Sequence, residues 1–157
     1  MTSNSDIPFA FNLVLPEIKL NDYKSAMKFI AKNVSPSVGV SERILYDHIT
    51  RQNSRMDIMA MQGAAALHLR LSGLTEPFTA LARFSHAIDV DAPDGMPVDL
   101  VFLLITPEKE GAMALRWLSR WTRLLRNPQI CAMLRTAPGE SGIQNVISQS
   151  GHLLAAA

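Results

Sequence analysis

The stretch Ala64–Leu71, AAALHLRL, carries the two side chains in this chain best placed to do chemistry, His68 and Arg70. Leu67, Leu69 and Leu71 alternate with them, which is strand periodicity. His68 and Arg70 therefore share one face and the leucines share the other. The small residues before His68 leave room around its ring. An unperturbed histidine has a pKa of about 6.5, so one ring nitrogen is a neutral nucleophile near pH 7. The guanidinium of Arg70 adds positive charge beside it. The same alternation also fits a structural histidine, and periodicity alone leaves both readings open.

The other polar candidates carry weaker signals. Gln52–Gly63, QNSRMDIMAMQG, has no clear period, which leaves loop and short helix both open. Its charges, Arg55 and Asp57, and the neighbouring Arg51 make it either a solvated connection or a loop whose arginines meet an anion. His48 falls on an apolar helix face with Ile44, Leu45 and Ile49 and reads as a half-buried structural residue. His86 borders a turn and should be exposed. Arg116, Arg120 and Arg123 share one helix face, as a solvated surface or a docking patch. Cys131 reads as a small buried apolar residue. The chain has no GxxxxGK[ST] loop, no GxGxxG after a strand, no HExxH, no cysteine cluster and no GxSxG elbow. Conventional nucleotide, zinc and serine-hydrolase chemistry thus lack support, and no cofactor or metal is expected.

These residues need a scaffold, and Val98–Thr106, VDLVFLLIT, is its centre. The run is almost unbroken in its apolarity and is bracketed by Pro97 and Pro107. A strand that does not alternate is covered on both faces. Phe78–Phe84 reads as another strand, and Ala87–Val90 as a short extended piece. DAPDGMP, Asp91–Pro97, is a hairpin connection. Asn21 and Ser41 are candidate caps for two early helices, the first ending near Asn33 ahead of Pro36. Helices follow from Glu108 to about Arg126, from Pro128 and from Ser141, with Ile130, Met133 and Leu134 packing the second. Gly151 should end the last of them. Residues 1–15 are expected to be a mobile or extended segment. The sheet is expected to be mixed, with helices on both faces.

The 157 residues suit one domain, 48% hydrophobic and 18% charged, with a formal net charge of +1. Nothing in that balance calls for nucleic acid or an anionic membrane. The single cysteine fits a reducing compartment, the N-terminus lacks a signal-peptide pattern, and no apolar run approaches the ~20 residues of a membrane span. A cytoplasmic protein without membrane insertion is expected.

Taken together, GAAALHLRL, the strand FTALARF, the hairpin IDVDAPDGMPVDLVFLLITPE and the helix ALRWLSRWTRLLRNP resemble a known family. It is the enzyme IIA domain of the phosphoenolpyruvate:sugar phosphotransferase system, in its fructose/mannitol and nitrogen-regulatory (PtsN-like) branch. The resemblance runs from about Pro16 to Ser150. It implies an α/β single-domain sandwich over 1–157 with a mixed, about five-stranded sheet flanked by helices. It also implies a phosphocarrier whose histidine, here His68, accepts a phosphoryl group from an HPr- or NPr-type carrier protein. Arg70 would be an electrostatic helper and Arg55 a candidate phosphate contact. A kinase or transporter would be the regulatory target. The family motif around the histidine reads roughly GxGxAxPHxR. Gly63, Ala65, His68 and Arg70 match it, whereas Met61 replaces the first glycine and Leu67 the proline. The family's second histidine, at the start of the helix after the long strand, is Ala114 here. These replacements imply an alternative, an IIA-fold module that regulates a partner by binding and carries no phosphate.

Overall fold

The computed structural model describes the backbone of residues 10–51, 58–109 and 111–155, and their side chains except at 58–61 and 151–155. The elements run β1 (Leu13–Ile18), α1 (Tyr23–Val38), α2 (Glu42–Arg51), β2 (Ile58–Met61), β3 (Ala64–Leu71), β4 (Phe78–Ile88), β5 (Val98–Pro107), α3 (Gly111–Leu125), α4 (Pro128–Thr136) and α5 (Gly139–Ala155). The expected mixed sheet is present, in the order β1-β4-β5-β3-β2. β5 lies at its centre, antiparallel to β4 and parallel to β3. β1 runs parallel to β4, and β2 pairs antiparallel with β3.

The unbroken apolar run of β5 has its cause in this position. Ile105, Leu103 and Val101 point into a core closed by α1 and α2, while Leu100, Phe102 and Leu104 point into a second core closed by α3, α4 and α5. β3 obeys the same alternation: Ala65, Leu67, Leu69 and Leu71 face the first core, Ala64 and Ala66 the second. His68 and Arg70 therefore lie on the α3 side of the sheet.

Several boundaries differ from expectation. The N-cap of α1 is Asp22, whose carboxylate accepts from Ser25 N at 2.8 Å, one residue beyond Asn21. The helix runs past Asn33 to Val38 with Pro36 inside it. Pro36 and Lys32, whose carbonyl loses its usual helical donor, are both exposed, so that carbonyl is not buried unpaired in the core. Val34 and Val38 still pack on the core, and Gly39 closes the helix at φ +68°. Ser41 caps α2 as expected, but Ile44 lies half exposed and only Leu45 and Ile49 are buried. Met133 of α4 is also largely exposed. Helix α5 begins at Gly139, two residues before Ser141, and passes Gly151 to Ala155. Phe78–Ile88 is one strand with a register shift after Arg83, not two pieces. The first nine residues lie outside the described set, and Leu13–Leu15 are extended in β1.

The stretch left untyped in the sequence contains β2. It meets β3 through a two-residue turn at Gln62 and Gly63, with φ +50° and +89°. Positive φ at both positions is the hairpin geometry that matches strand twist, and the second position strongly favours glycine. Gly63 is also crowded. An added Cβ would sit 3.0 Å from Arg135 Nη2, and the Gly63 carbonyl accepts from Asp99 N and, more weakly, from Leu100 N. Gly63→Ala should cost about 1–3 kcal/mol through strain alone. Gly73→Ala, at φ +85° with open space around it, should cost less. Denaturant melts of the two variants measure the difference, and equal losses would rule out the Arg135 contact as a cause.

One buried hydroxyl stands out. Tyr23 Oη is, among the described residues, the buried side-chain oxygen without a hydrogen-bond partner. Burial, with a smaller contribution from Tyr46, pushes its pKa up to about 12. The folded form thus holds this proton more tightly than the unfolded chain. The corresponding stability is present below about pH 10 and is lost as the pH rises toward 12. Tyr23→Phe should stabilise the fold at pH 7 by roughly 1 kcal/mol. It should also flatten the fall in melting temperature between about pH 10 and 12, measured on both proteins.

Candidate functional site

β3 and β5 are parallel, so their carboxyl ends lie together. In open α/β sheets, ligand sites form outside the carboxyl ends of strands. His68 lies in the carboxyl half of β3, in register with Leu104, and Arg70, next to the strand's end, is in register with Thr106. His68 is half-buried and Arg70 exposed. The ring is therefore neither sealed in the core nor loose in solvent.

The ring is held from below. His68 Nε2 lies 2.8 Å from the hydroxyl of Thr106, which is wholly buried. Thr106 terminates the apolar face of β5 that begins with Leu100, Phe102 and Leu104. Its hydroxyl would be a costly group to bury there without a partner. The histidine supplies that partner, and the hydroxyl in return fixes the ring. Nothing in the local sequence pointed to Thr106. It stands 38 positions from His68, and finding it requires knowing that β3 and β5 are parallel neighbours in this register.

Ala114 lies in the first turn of α3, which packs on β3 and β5, and is 1% exposed. Its methyl group fills a closed space. Arg116 and Arg123 project from the outer face of the same helix, and Arg120 is half-buried. Arg51 is exposed at the end of α2, and Arg55 lies outside the described residues. The structure thus brings His68 together with Thr106 and places Arg70 beside them, and leaves Gly63 apart. Gly63 serves the hairpin at the amino end of β3, five positions before His68.

A second polar cluster lies at the other end of β5. A cleft of about 410 Å³ is lined by Pro16, Glu17, Arg83, Asp99 and Arg135, among others. Its cations are engaged in holding the fold. Arg83 donates to the carbonyls of Pro16 at 2.8 Å, Leu134 at 2.9 Å and Ala137 at 2.7 Å, which satisfies the carboxyl end of α4. Arg135 pairs with Asp99 at 2.8 Å and donates to the Gln62 carbonyl. The cleft does not include His68, and its arginines already have partners, so the chemistry is better sought at His68. Among the described residues, no cluster of histidine, cysteine or carboxylate side chains could hold a metal ion.

Comparison with known proteins identifies the family and the fold. The family model described as phosphoenolpyruvate-dependent sugar phosphotransferase system, EIIA 2, matches residues 9–150. A nitrogen regulatory protein of Bradyrhizobium diazoefficiens is 34% identical over 135 residues, which cover 86% of this chain and 88% of that one. The crystal structure of nitrogen regulatory protein IIA-Ntr from Neisseria meningitidis superimposes with a TM-score of 0.78 at 22% identity, over 86% of this chain and 92% of that one. The mannitol enzyme IIA of Escherichia coli, solved in complex with phosphorylated enzyme IIB, has the same fold. Its TM-score is 0.64 at 10% identity, over 87% of this chain and 94% of that one.

Proposed function

Because the chain belongs to the EIIA type-2 family of the phosphoenolpyruvate-dependent sugar phosphotransferase system, with nitrogen regulatory proteins among its relatives, we propose that it is a regulatory phosphocarrier that takes a phosphoryl group on His68. The observation that carries this reading is the half-buried imidazole in the carboxyl half of β3, beside its parallel neighbour β5. Phosphoryl transfer needs alignment of the attacking atom and positive charge near the equatorial oxygens, and little other machinery. The strand fixes the ring, and the exposed Arg70 stands on the same face two residues on. Arg55 remains a candidate phosphate contact. The donor is an HPr- or NPr-type carrier protein, itself phosphorylated on histidine, and the site of action is the cytoplasm. No helix among the described residues is long and apolar enough to cross a membrane.

The direct test is incubation with phosphoenolpyruvate, enzyme I and the carrier. The expected result is an acid-labile mass increase of one phosphoryl group. An unchanged mass with an active carrier in the tube would rule the reading out.

Ala114 favours a second reading. A closed methyl contact stands where the family's second histidine would be. In this reading the chain is an IIA-fold module that regulates a kinase or transporter by binding alone. It then binds such a target equally as wild type and as His68→Ala, with no phosphoryl group in either.

A further inference from the structure

The cleft at the amino end of β5 holds a cation with no carboxylate bonded to it. We propose that this cleft binds a small oxyanion, a carboxylate or a phosphate, at the open edge of Arg83.

The bonds that fix Arg83 leave part of its guanidinium unused. Nε donates to the Pro16 carbonyl, and Nη1 donates to the carbonyls of Leu134 and Ala137. Nη2 has no hydrogen-bond partner among the described residues, and it is not one of the buried unpaired atoms, so it is open to solvent. All the acceptors on Arg83 are carbonyls. The carboxyl end of a helix amounts to roughly half a negative charge, so these carbonyls offset only part of the guanidinium. The two carboxylates on the cleft wall, Asp99 and Glu17, are committed elsewhere. Asp99 accepts from Arg135 Nε with both oxygens, at 3.0 and 2.8 Å. Glu17 is largely exposed and lies 3.5 Å from Lys19. Arg135 lines the same cleft, and its Nη1 is also without a partner among the described residues. Two guanidiniums therefore share one committed carboxylate, and an anion is the partner that the pair lacks.

The arrangement suits a ligand better than it suits a cap alone. Capping α4 accounts for Nη1 of Arg83. It does not account for about 410 Å³ of open volume beside the same side chain. One water takes up only ~30 Å³, and small-molecule sites begin at roughly 300 Å³. The bonds through Nε and Nη1 also hold the guanidinium in place, so an incoming anion need not order a long, free side chain. A bond from a guanidinium to an oxyanion is charge-assisted and among the stronger hydrogen bonds. Ser85, exposed on β4 two residues after Arg83, adds a hydroxyl to the same wall. Because the cleft does not include His68, the site is independent of phosphoryl transfer.

Nitrogen-15 NMR of the unphosphorylated protein, titrated with inorganic phosphate and with succinate, tests this. Sodium chloride at equal ionic strength is the control. At least one probe should give saturable shifts of the Arg83 Nε–H and of the Ser85 and Gly139 amides, and chloride should give none. The tighter of the two probes identifies the ligand as a phosphate or a carboxylate. Arg83→Gln should abolish the response. That change also removes bonds to α4, so Ser85→Asp is the second variant. It sets a carboxylate on the wall and leaves both arginines in place. Ser85→Asp should weaken binding by about tenfold or more, with Ser85→Asn binding as wild type and both melting near wild type. The proposal is overturned if neither probe gives a saturable shift, or if Ser85→Asp binds as wild type does. It is equally overturned if the shifts are confined to His68 and Arg70, which would place the anion at the histidine instead.

Discussion

His68→Gln should abolish phosphoryl uptake altogether. The glutamine keeps a polar side chain of similar reach, able to bond the Thr106 hydroxyl, and so should leave the strand and the buried hydroxyl undisturbed. It has no nucleophilic nitrogen, since an amide nitrogen lone pair is delocalised into its carbonyl. The acid-labile label should fall below detection, with the circular dichroism and melting temperature close to wild type. Arg70→Leu is the graded comparison. Arg70 is exposed on the same face, and losing one charged hydrogen bond to a phosphoryl oxygen is worth ~1.5 kcal/mol, or roughly tenfold in rate. A full label on His68→Gln would place the acceptor elsewhere. An unchanged rate for Arg70→Leu would remove Arg70 from the site while leaving His68 in it.

What could be read from the sequence followed from periodicity, and what was missed followed from pairing. The alternation around His68 gave both its face and its company, because a strand's side chains depend only on local order. The same holds for the doubly covered β5. β2 was not legible. Ile58–Met61 is a short edge strand without alternation, and its state is decided by β3 alongside it. The signal that was available was Gln62–Gly63, two residues between apolar stretches with glycine second. β1 was read only as part of a mobile or extended segment, and Pro16 lies within it. At the sheet's edge, with the pairing irregular between Leu15 and Ile18, a proline is tolerated.

The departures from the family motif have physical consequences that the sequence could not disclose. Leu67, in place of the motif's proline, is buried in the first core on the opposite face from His68. It is also paired on both sides, to Ile58 and to Leu103. A proline placed there would remove a backbone donor from the inside of the sheet. Ala114→His would force an imidazole into a space closed around a methyl group, at a cost of about 1–3 kcal/mol. Restoring the two motif residues therefore tests the packing of this chain before it tests its chemistry.

Phe102→Ala should produce the largest loss of stability, about 3–5 kcal/mol. Phe102 lies at the middle of β5, 2% exposed, and its ring centroid is 4.7 Å from that of Trp121 and 5.0 Å from that of Phe11. Phe11 and Trp121 are themselves 5.1 Å apart, so the three rings join the segment before β1, the central strand and α3. Removing the middle ring loses its buried surface, two aromatic contacts and the filled volume between them. Typical domains have only about 5–15 kcal/mol in hand, so roughly a fifth or more of the total is at stake. The urea midpoint should fall in proportion while its slope is unchanged. Phe102→Leu keeps most of the volume and should lose less. Phe102 and Thr106 share one strand and one face. If the core only supports the site, Phe102→Leu should label His68 at the wild-type rate per folded molecule. If instead the rate falls while the protein stays folded, the position of Thr106 depends on how β5 packs, and the site extends into the aromatic cluster.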